Sequence, residues 1–207
     1  MRLAIPRLYA IIDPAQTGGR SIEEICESLL AAGVRLIQYR DKLSSTRSVF
    51  EAATRLVALA KQAGGRLILN DRADIALASG AGGVHVGQDD LAPDLARQVI
   101  GRDLWLGVST HNPGQLHDAD ATTADYVAIG PVFQTSSKAN PDPVVGLEGI
   151  RIARKATAKP LVAIGGITAG NARDVIEAGA DSVAVIRDLI AGPNVLEQAR
   201  AFLKAVS

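Results

Sequence analysis

The chain has 207 residues, with 22 Lys and Arg against 22 Asp and Glu, so its formal net charge is zero. A 47% hydrophobic content excludes a disordered or fibrous chain, and the zero balance argues against a general binder of nucleic acid or anionic membrane. Aromatics at 3% leave few stacking platforms for single-stranded nucleic acid, one cysteine excludes a disulfide framework or multi-cysteine zinc site, and no apolar run reaches the roughly 20 residues that span a bilayer.

Short apolar runs alternate with helical patterns from end to end. The first run is 8–13. Arg7 and Asp13 bracket only five residues there, too few for a signal peptide, and a cytoplasmic protein is expected. Ser21 with Glu24 three residues on reads as a capping box. The helix it opens puts Ile22, Cys26, Leu29 and Leu30 on one face, so Cys26 reads as a small buried hydrophobe. Gly33 ends that helix, and 35–40 is the second strand. Helix 45–63, strand 66–71, short helix 73–79 and strand 83–87 follow. Then come helix 92–100, strand 105–110, helix 113–120 and strand 125–130. A long loop, 131–146, carries three prolines and reads as a functional loop, a candidate lid. Helix 147–156, strand 160–166, helix 169–178, strand 182–186 and helix 194–205 complete the order.

Eight strands and eight helices in strict alternation, in about 200 residues, point to an α/β fold, a single-domain (β/α)8 TIM barrel spanning 1–207. A doubly wound open sheet is the alternative, but the first strand–helix turn lacks a G-x-G-x-x-G fingerprint. Weak self-similarity joins 81–87, 124–130 and 180–186, each a small residue, a turn, then an apolar strand.

In such a barrel the chemistry sits where strands end. Polar residues gather there: Gln38 to Lys42, Asn70 to Arg72, His85 with Gln88 to Asp90, Ser109 to His111, Thr135 to Lys138, and Gly165-Gly166. Each alone has an ordinary reading as a solvated strand end, a helix cap or a core histidine. Together they gather cations, two separated carboxylates and several hydroxyls on one face. Arg40, Lys42 and Lys138 suit a strongly anionic group such as a diphosphate. Asp71 and Asp90, at adjacent strand ends, suit one shared Mg²⁺, with a carboxylate acid–base pair as the competing reading. Gly165, Gly166 and Arg187 form the usual phosphate cradle of loops seven and eight, unless Gly-Gly is only a tight turn.

These motifs, Gln38-Tyr-Arg-Asp-Lys42, Asn70-Asp-Arg72, His85-Val-Gly-Gln-Asp-Asp90, Gly107-Val-Ser-Thr-His111, Gly130-Pro-Val-Phe-Gln-Thr-Ser-Ser-Lys138, Gly146-Leu-Glu148 and Ala163-Ile-Gly-Gly-Ile167, together resemble thiamine-phosphate synthase. They cover almost the whole chain, in order and at strand spacing. The resemblance implies a transferase of thiamine biosynthesis that joins a hydroxymethylpyrimidine diphosphate to a thiazole phosphate and releases pyrophosphate. It implies a dissociative substitution assisted by Mg²⁺. Gln38, Tyr39, Arg40, Asp41, Lys42, Asn70, Ser109 and Lys138 would hold the pyrimidine diphosphate, and His85 joins them as a substrate-binding candidate. Arg40, Lys42, Ser109 and Lys138 would be the catalytic group. Asp71 and Asp90 would bind Mg²⁺. Thr135, Ser136, Ser137, Gly166, Ile186 and Arg187 would hold the thiazole phosphate. Three positions depart from the family pattern: Tyr39 for Leu, Asp41 for Glu, and Arg187 where Ser or Thr is usual. The partners are then small molecules, with no nucleic acid and no membrane, as a monomer or a homo-oligomer. Rival readings are a thiazole tautomerase, a sugar-phosphate isomerase or epimerase, and a non-catalytic phosphometabolite-binding barrel.

Overall fold

A computed structural model describes residues 3–135 and 142–207. Its eight strands are β1 (Leu8–Ile12), β2 (Leu36–Tyr39), β3 (Arg66–Asn70), β4 (Gly83–Val86), β5 (Trp105–Thr110), β6 (Tyr126–Ile129), β7 (Leu161–Ile164) and β8 (Ser182–Val185). All neighbours pair in parallel, in sequence order, and β8 returns to β1 to close the barrel. Closure leaves no free edge, which an open doubly wound sheet would have.

Side chains along a strand alternate between two faces. Register therefore fixes which residues face inward. Gln38 lies beside Ile11 and Ile68, Asn70 beside His85, His85 beside Gly107, and Gly107 beside Tyr126. The inner apolar cluster is Tyr9, Ile11, Leu36, Ile68, Tyr126, Ala128, Val162 and Ala184. The other parity, including Leu8, Ile37, Leu67, Val84, Leu106, Val127, Leu161 and Val183, faces the helices in a much larger outer cluster. Both faces are buried, which is why the strands read as nearly unbroken apolar runs.

The helical layer is α1 (Ile22–Ala32), α2 (Thr46–Gln62), α3 (Ala73–Ser79), α4 (Pro93–Ile100), α5 (Pro113–Asp120), α6 (Gly146–Ala156), α7 (Ala172–Glu177), α8 (Arg187–Ile190) and α9 (Val195–Ala205). Ser21 caps α1, accepting from the amides of Glu23 and Glu24, worth about 1 kcal/mol. Cys26 faces the core and is fully buried. No helix among the described residues is long and apolar enough to cross a membrane.

The helical layer differs from the sequence expectation in two places. The helix expected at 169–178 spans only 172–177, because Asn171 turns its side chain onto Thr168 N and Gly166 O instead of joining a first turn. The short α8 also follows β8, where no helix was expected. The weak repeats have a structural basis. Asp125 Oδ2 accepts from Leu106 N of β5 and from Arg97 of α4. Asp181 Oδ2 accepts from Leu161 N of β7 and from Arg154 of α6. In the third copy glycine stands at the Asp position, and Arg66 packs where a Gly82 side chain would lie, donating to Gly82 O at 2.9 Å. Each copy ties a strand start to its neighbour from the end opposite the strand C-termini.

Candidate active site

The C-terminal ends of the strands surround a cavity of about 1110 Å³. Gln38, Arg40 and Lys42 reach it from the end of β2, and Asn70 and Asp71 from the end of β3. His85 and Asp90 come from β4 and its loop, and Ser109 from β5. Across the mouth lie Thr135, Gly165, Gly166, Ile186 and Arg187.

Two expected residues sit elsewhere. Tyr39 follows the inward-facing Gln38, so strand parity turns it outward into the helical core, 2% exposed. Its hydroxyl donates to Asp41 Oδ2 at 3.0 Å. Asp41 does not line the cavity either. Its Oδ1 accepts from the amides of Leu43 and Ser44, both at 3.0 Å, which shapes the loop that carries Lys42. Ser136, Ser137 and Lys138 lie outside the described residues.

Arg40 is aimed by a residue not singled out from the sequence. Its guanidinium pairs with Asp13, at the end of β1. Asp13 is 5% exposed, and its other oxygen accepts from Ala15 N at 3.0 Å, capping a 3-10 turn at Pro14–Gln16. The rule that selected the other site residues, a charge where a strand ends, would have found it. Lys42 Nζ lies 3.1 Å from Asp71 Oδ2.

Asp71 has φ 63°, in the left-handed region that Asp tolerates better than most residues. Its amide donates to His85 O at 2.8 Å, locking the turn against β4. Asp90 Oδ2 accepts from Gly87 N at 2.7 Å and stands beside the Asp71 carboxyl. Burial, with the Asp90 carboxylate next to it, pushes Asp71 up to about 6 despite the pull of Lys42. Two carboxylates this close are stable when a proton or a cation lies between them. Their hard oxygen donors suit a divalent ion such as Mg²⁺. Among the described residues no group of three or more His, Cys, Asp or Glu could hold a metal.

Deeper in the barrel, Tyr9 and Tyr126 were not expected from the sequence. Their hydroxyls lie 3.0 Å apart. Gln38 Nε2 donates to Tyr9 at 2.9 Å, and Tyr126 lies 3.1 Å from His85 Nδ1. His85 Nε2 is 2.8 Å from Ser109 Oγ. Burial pushes His85 down to about 4, so the ring is neutral at neutral pH. The signal was parity: Tyr9 and Tyr126 share the inward face with Gln38 and His85.

On the far side, Gly165 and Gly166 have φ 101° and 65°. A Cβ on either would meet Pro131 Cβ at 2.5 Å or Gln134 O at 2.6 Å, so only glycine fits this turn. The loop after β6 is pinned to it, with Val132 N donating to Ile164 O and Phe133 N to Gly165 O. His111 Nδ1 donates to Gly130 O at 2.6 Å and lies 3.5 Å from Asp142. Arg187 opens α8 at the cavity wall, with the lining residue Asp188 next to it.

Residues 8–189 match the thiamine monophosphate synthase family. A thiamine-phosphate synthase of Koribacter versatilis is 53% identical over 207 residues, covering 98% of this chain and 96% of its own. One from Chloroflexus aurantiacus is 44% identical over 201 residues, covering 97% of this chain and 93% of its own. A thiamine phosphate pyrophosphorylase structure from Pyrococcus furiosus superposes with TM-score 0.88 at 32% identity, covering 97% and 95% of the two chains. With a family match over most of its length and relatives this similar, the chain belongs to the thiamine monophosphate synthase family.

Proposed function

We propose that the protein condenses 4-amino-2-methyl-5-(diphosphooxymethyl)pyrimidine with 4-methyl-5-(2-phosphooxyethyl)thiazole, giving thiamine phosphate and pyrophosphate. What supports this is a cavity with cationic side chains at two ends. Arg40, Lys42 and the Asp71–Asp90 pair stand at one end, and the Gly165-Gly166 turn with Arg187 at the other. A single-phosphate isomerase needs only one such end.

Arg40, held by Asp13, and Lys42 bind the diphosphate and neutralise charge as the pyrimidine-methyl C–O bond breaks. Asn70 and Ser109 orient that substrate from β3 and β5. Pyrophosphate leaves with the C–O bonding pair, and the thiazole nitrogen then uses its lone pair to form the new C–N bond to the methylene cation. The turn at Gly165-Gly166 and Arg187 hold the thiazole phosphate so that its nitrogen faces the forming cation. Arg187 is longer than the usual Ser or Thr, so the phosphate sits farther from α8. Asp71 and Asp90 are the residues that would hold Mg²⁺, which supplies further neutralisation of the leaving diphosphate. Lys138 is proposed as a further diphosphate contact. Ser136 and Ser137 are proposed with Thr135 for the thiazole phosphate. The working compartment is the cytosol, in accord with the lone, buried, free Cys26.

The test is a turnover assay of purified protein with both substrates, with Mg²⁺ and with EDTA. Thiamine phosphate and pyrophosphate are expected in equal amounts with Mg²⁺, and neither with EDTA. No product from folded protein, or isomerisation of a thiazole alone, would overturn the reading in favour of a binding protein or a tautomerase.

A further inference from the structure

The floor of the cavity is crossed by an unbroken run of polar contacts linking five strands. Gln38 of β2, Tyr9 of β1, Tyr126 of β6, His85 of β4 and Ser109 of β5 connect at 2.9, 3.0, 3.1 and 2.8 Å in that order. The first four are at most 7% exposed. Tyr9 and Tyr126 meet edge to face at 6.1 Å, and the Tyr126 and His85 rings lie 5.6 Å apart. The backbone makes room for this run. A Cβ on Gly107, midway along β5, would fall 2.4 Å from both His85 Nδ1 and the Tyr126 hydroxyl.

Such a run has a direction, because each tyrosine has one proton. With Gln38 Nε2 donating to Tyr9, the Tyr9 proton has, among the described residues, only the Tyr126 oxygen to go to. The Tyr126 proton then goes to His85 Nδ1. A neutral histidine that accepts at Nδ1 carries its proton on Nε2, which donates to Ser109 Oγ. Ser109 lines the cavity and its hydroxyl has no other partner among the described residues, so its own proton is left for the cavity. At the opposite end Gln38 Oε1 has no partner among the described residues, so it is left as an acceptor facing the cavity. Turning the Gln38 amide over would reverse every bond and make Ser109 an acceptor.

We propose that Tyr9, Tyr126 and His85 are positioning residues forming a one-way hydrogen-bond chain, which fixes His85 as the Nε2–H tautomer and makes Gln38 an acceptor and Ser109 a donor toward the substrate. The site then selects a planar ring that donates toward β2 and accepts toward β5. This ligand selection rests on the proposed function. The direction of the chain does not, since it is set in the free protein.

The experiment is two-bond ¹H–¹⁵N correlation NMR on ¹⁵N-histidine-labelled protein without substrate at neutral pH. The His85 signals are assigned by their loss in His85→Asn. Wild type should show a single neutral tautomer with its proton on Nε2. A proton on Nδ1, or a mixture, would overturn the proposal with no variant needed. Gln38→Glu, recorded where its carboxylate is ionised, places an acceptor beside Tyr9 and should move the His85 proton to Nδ1. Tyr126→Phe cuts the chain and should give mixed tautomers, unchanged when Gln38→Glu is added. A wild-type spectrum retained in folded Gln38→Glu or Tyr126→Phe would refute the coupling. Because no substrate is present, these outcomes are independent of whether turnover occurs.

Discussion

Acid should unfold this protein partly through His85. Burial holds the ring down to about 4, against 6.5 in an unfolded chain. Between these values the unfolded state binds the extra proton, so stability rises with pH there and is lost as pH falls from 6.5 toward 4. The gap of about 2.5 pH units, at about 1.4 kcal/mol per unit, amounts to about 3.5 kcal/mol in full, of which about 3 kcal/mol is lost by pH 4. The physical cost is concrete: a proton on Nδ1 meets the proton that Tyr126 donates there, so the chain must turn. The assay is urea unfolding at pH 7.5 and pH 4 for wild type and His85→Asn. Other groups titrate in both proteins, so the difference between the two pH-dependent losses isolates the ring. With a slope of about 2–3 kcal/mol per M, wild type should lose about 1 M more of its urea midpoint than the variant. Equal losses in the two proteins would refute the reasoning and put a charged His85 in the fold.

Further outcomes follow from the same geometry. Gly107→Ala drives a methyl into Tyr126 and His85 and should lower stability by roughly 2–4 kcal/mol in chemical denaturation, through overpacking and lost hydrogen bonds. Tyr39→Phe should leave both KM values within about twofold, since the ring faces the helices; a large rise in KM for the pyrimidine diphosphate would return Tyr39 to the site. Arg40→Gln should raise that KM about tenfold or more while sparing the thiazole phosphate, checked by steady-state kinetics with each substrate varied. Asp71→Asn should weaken Mn²⁺ binding followed by electron paramagnetic resonance and abolish metal-dependent turnover; full activity would exclude the carboxylate pair as the metal site.

The strand–helix order, and with it the barrel, was legible because strands buried on both faces must be apolar throughout and helices on one face only. That contrast repeats eight times along the chain. The rule that chemistry gathers at strand ends selected Arg40, Lys42, Asp71, Asp90 and the Gly165-Gly166 turn, all of which line one cavity, because each lies within a few residues of the end of an apolar run. Side-chain parity is also legible in the sequence. It separates Gln38 from Tyr39, and it would have drawn Tyr9 and Tyr126 inward. What tertiary structure alone decided was partnership. Asp13 is far from Arg40 in sequence and touches it only because β1 and β2 are in register. The run from Gln38 to Ser109 exists only because closure brings five strands around one axis and Gly107 leaves them room to meet. Local sequence sets which element a residue belongs to and which way it faces; the residues it faces come from strands distant in sequence, whose relative positions register and closure alone determine.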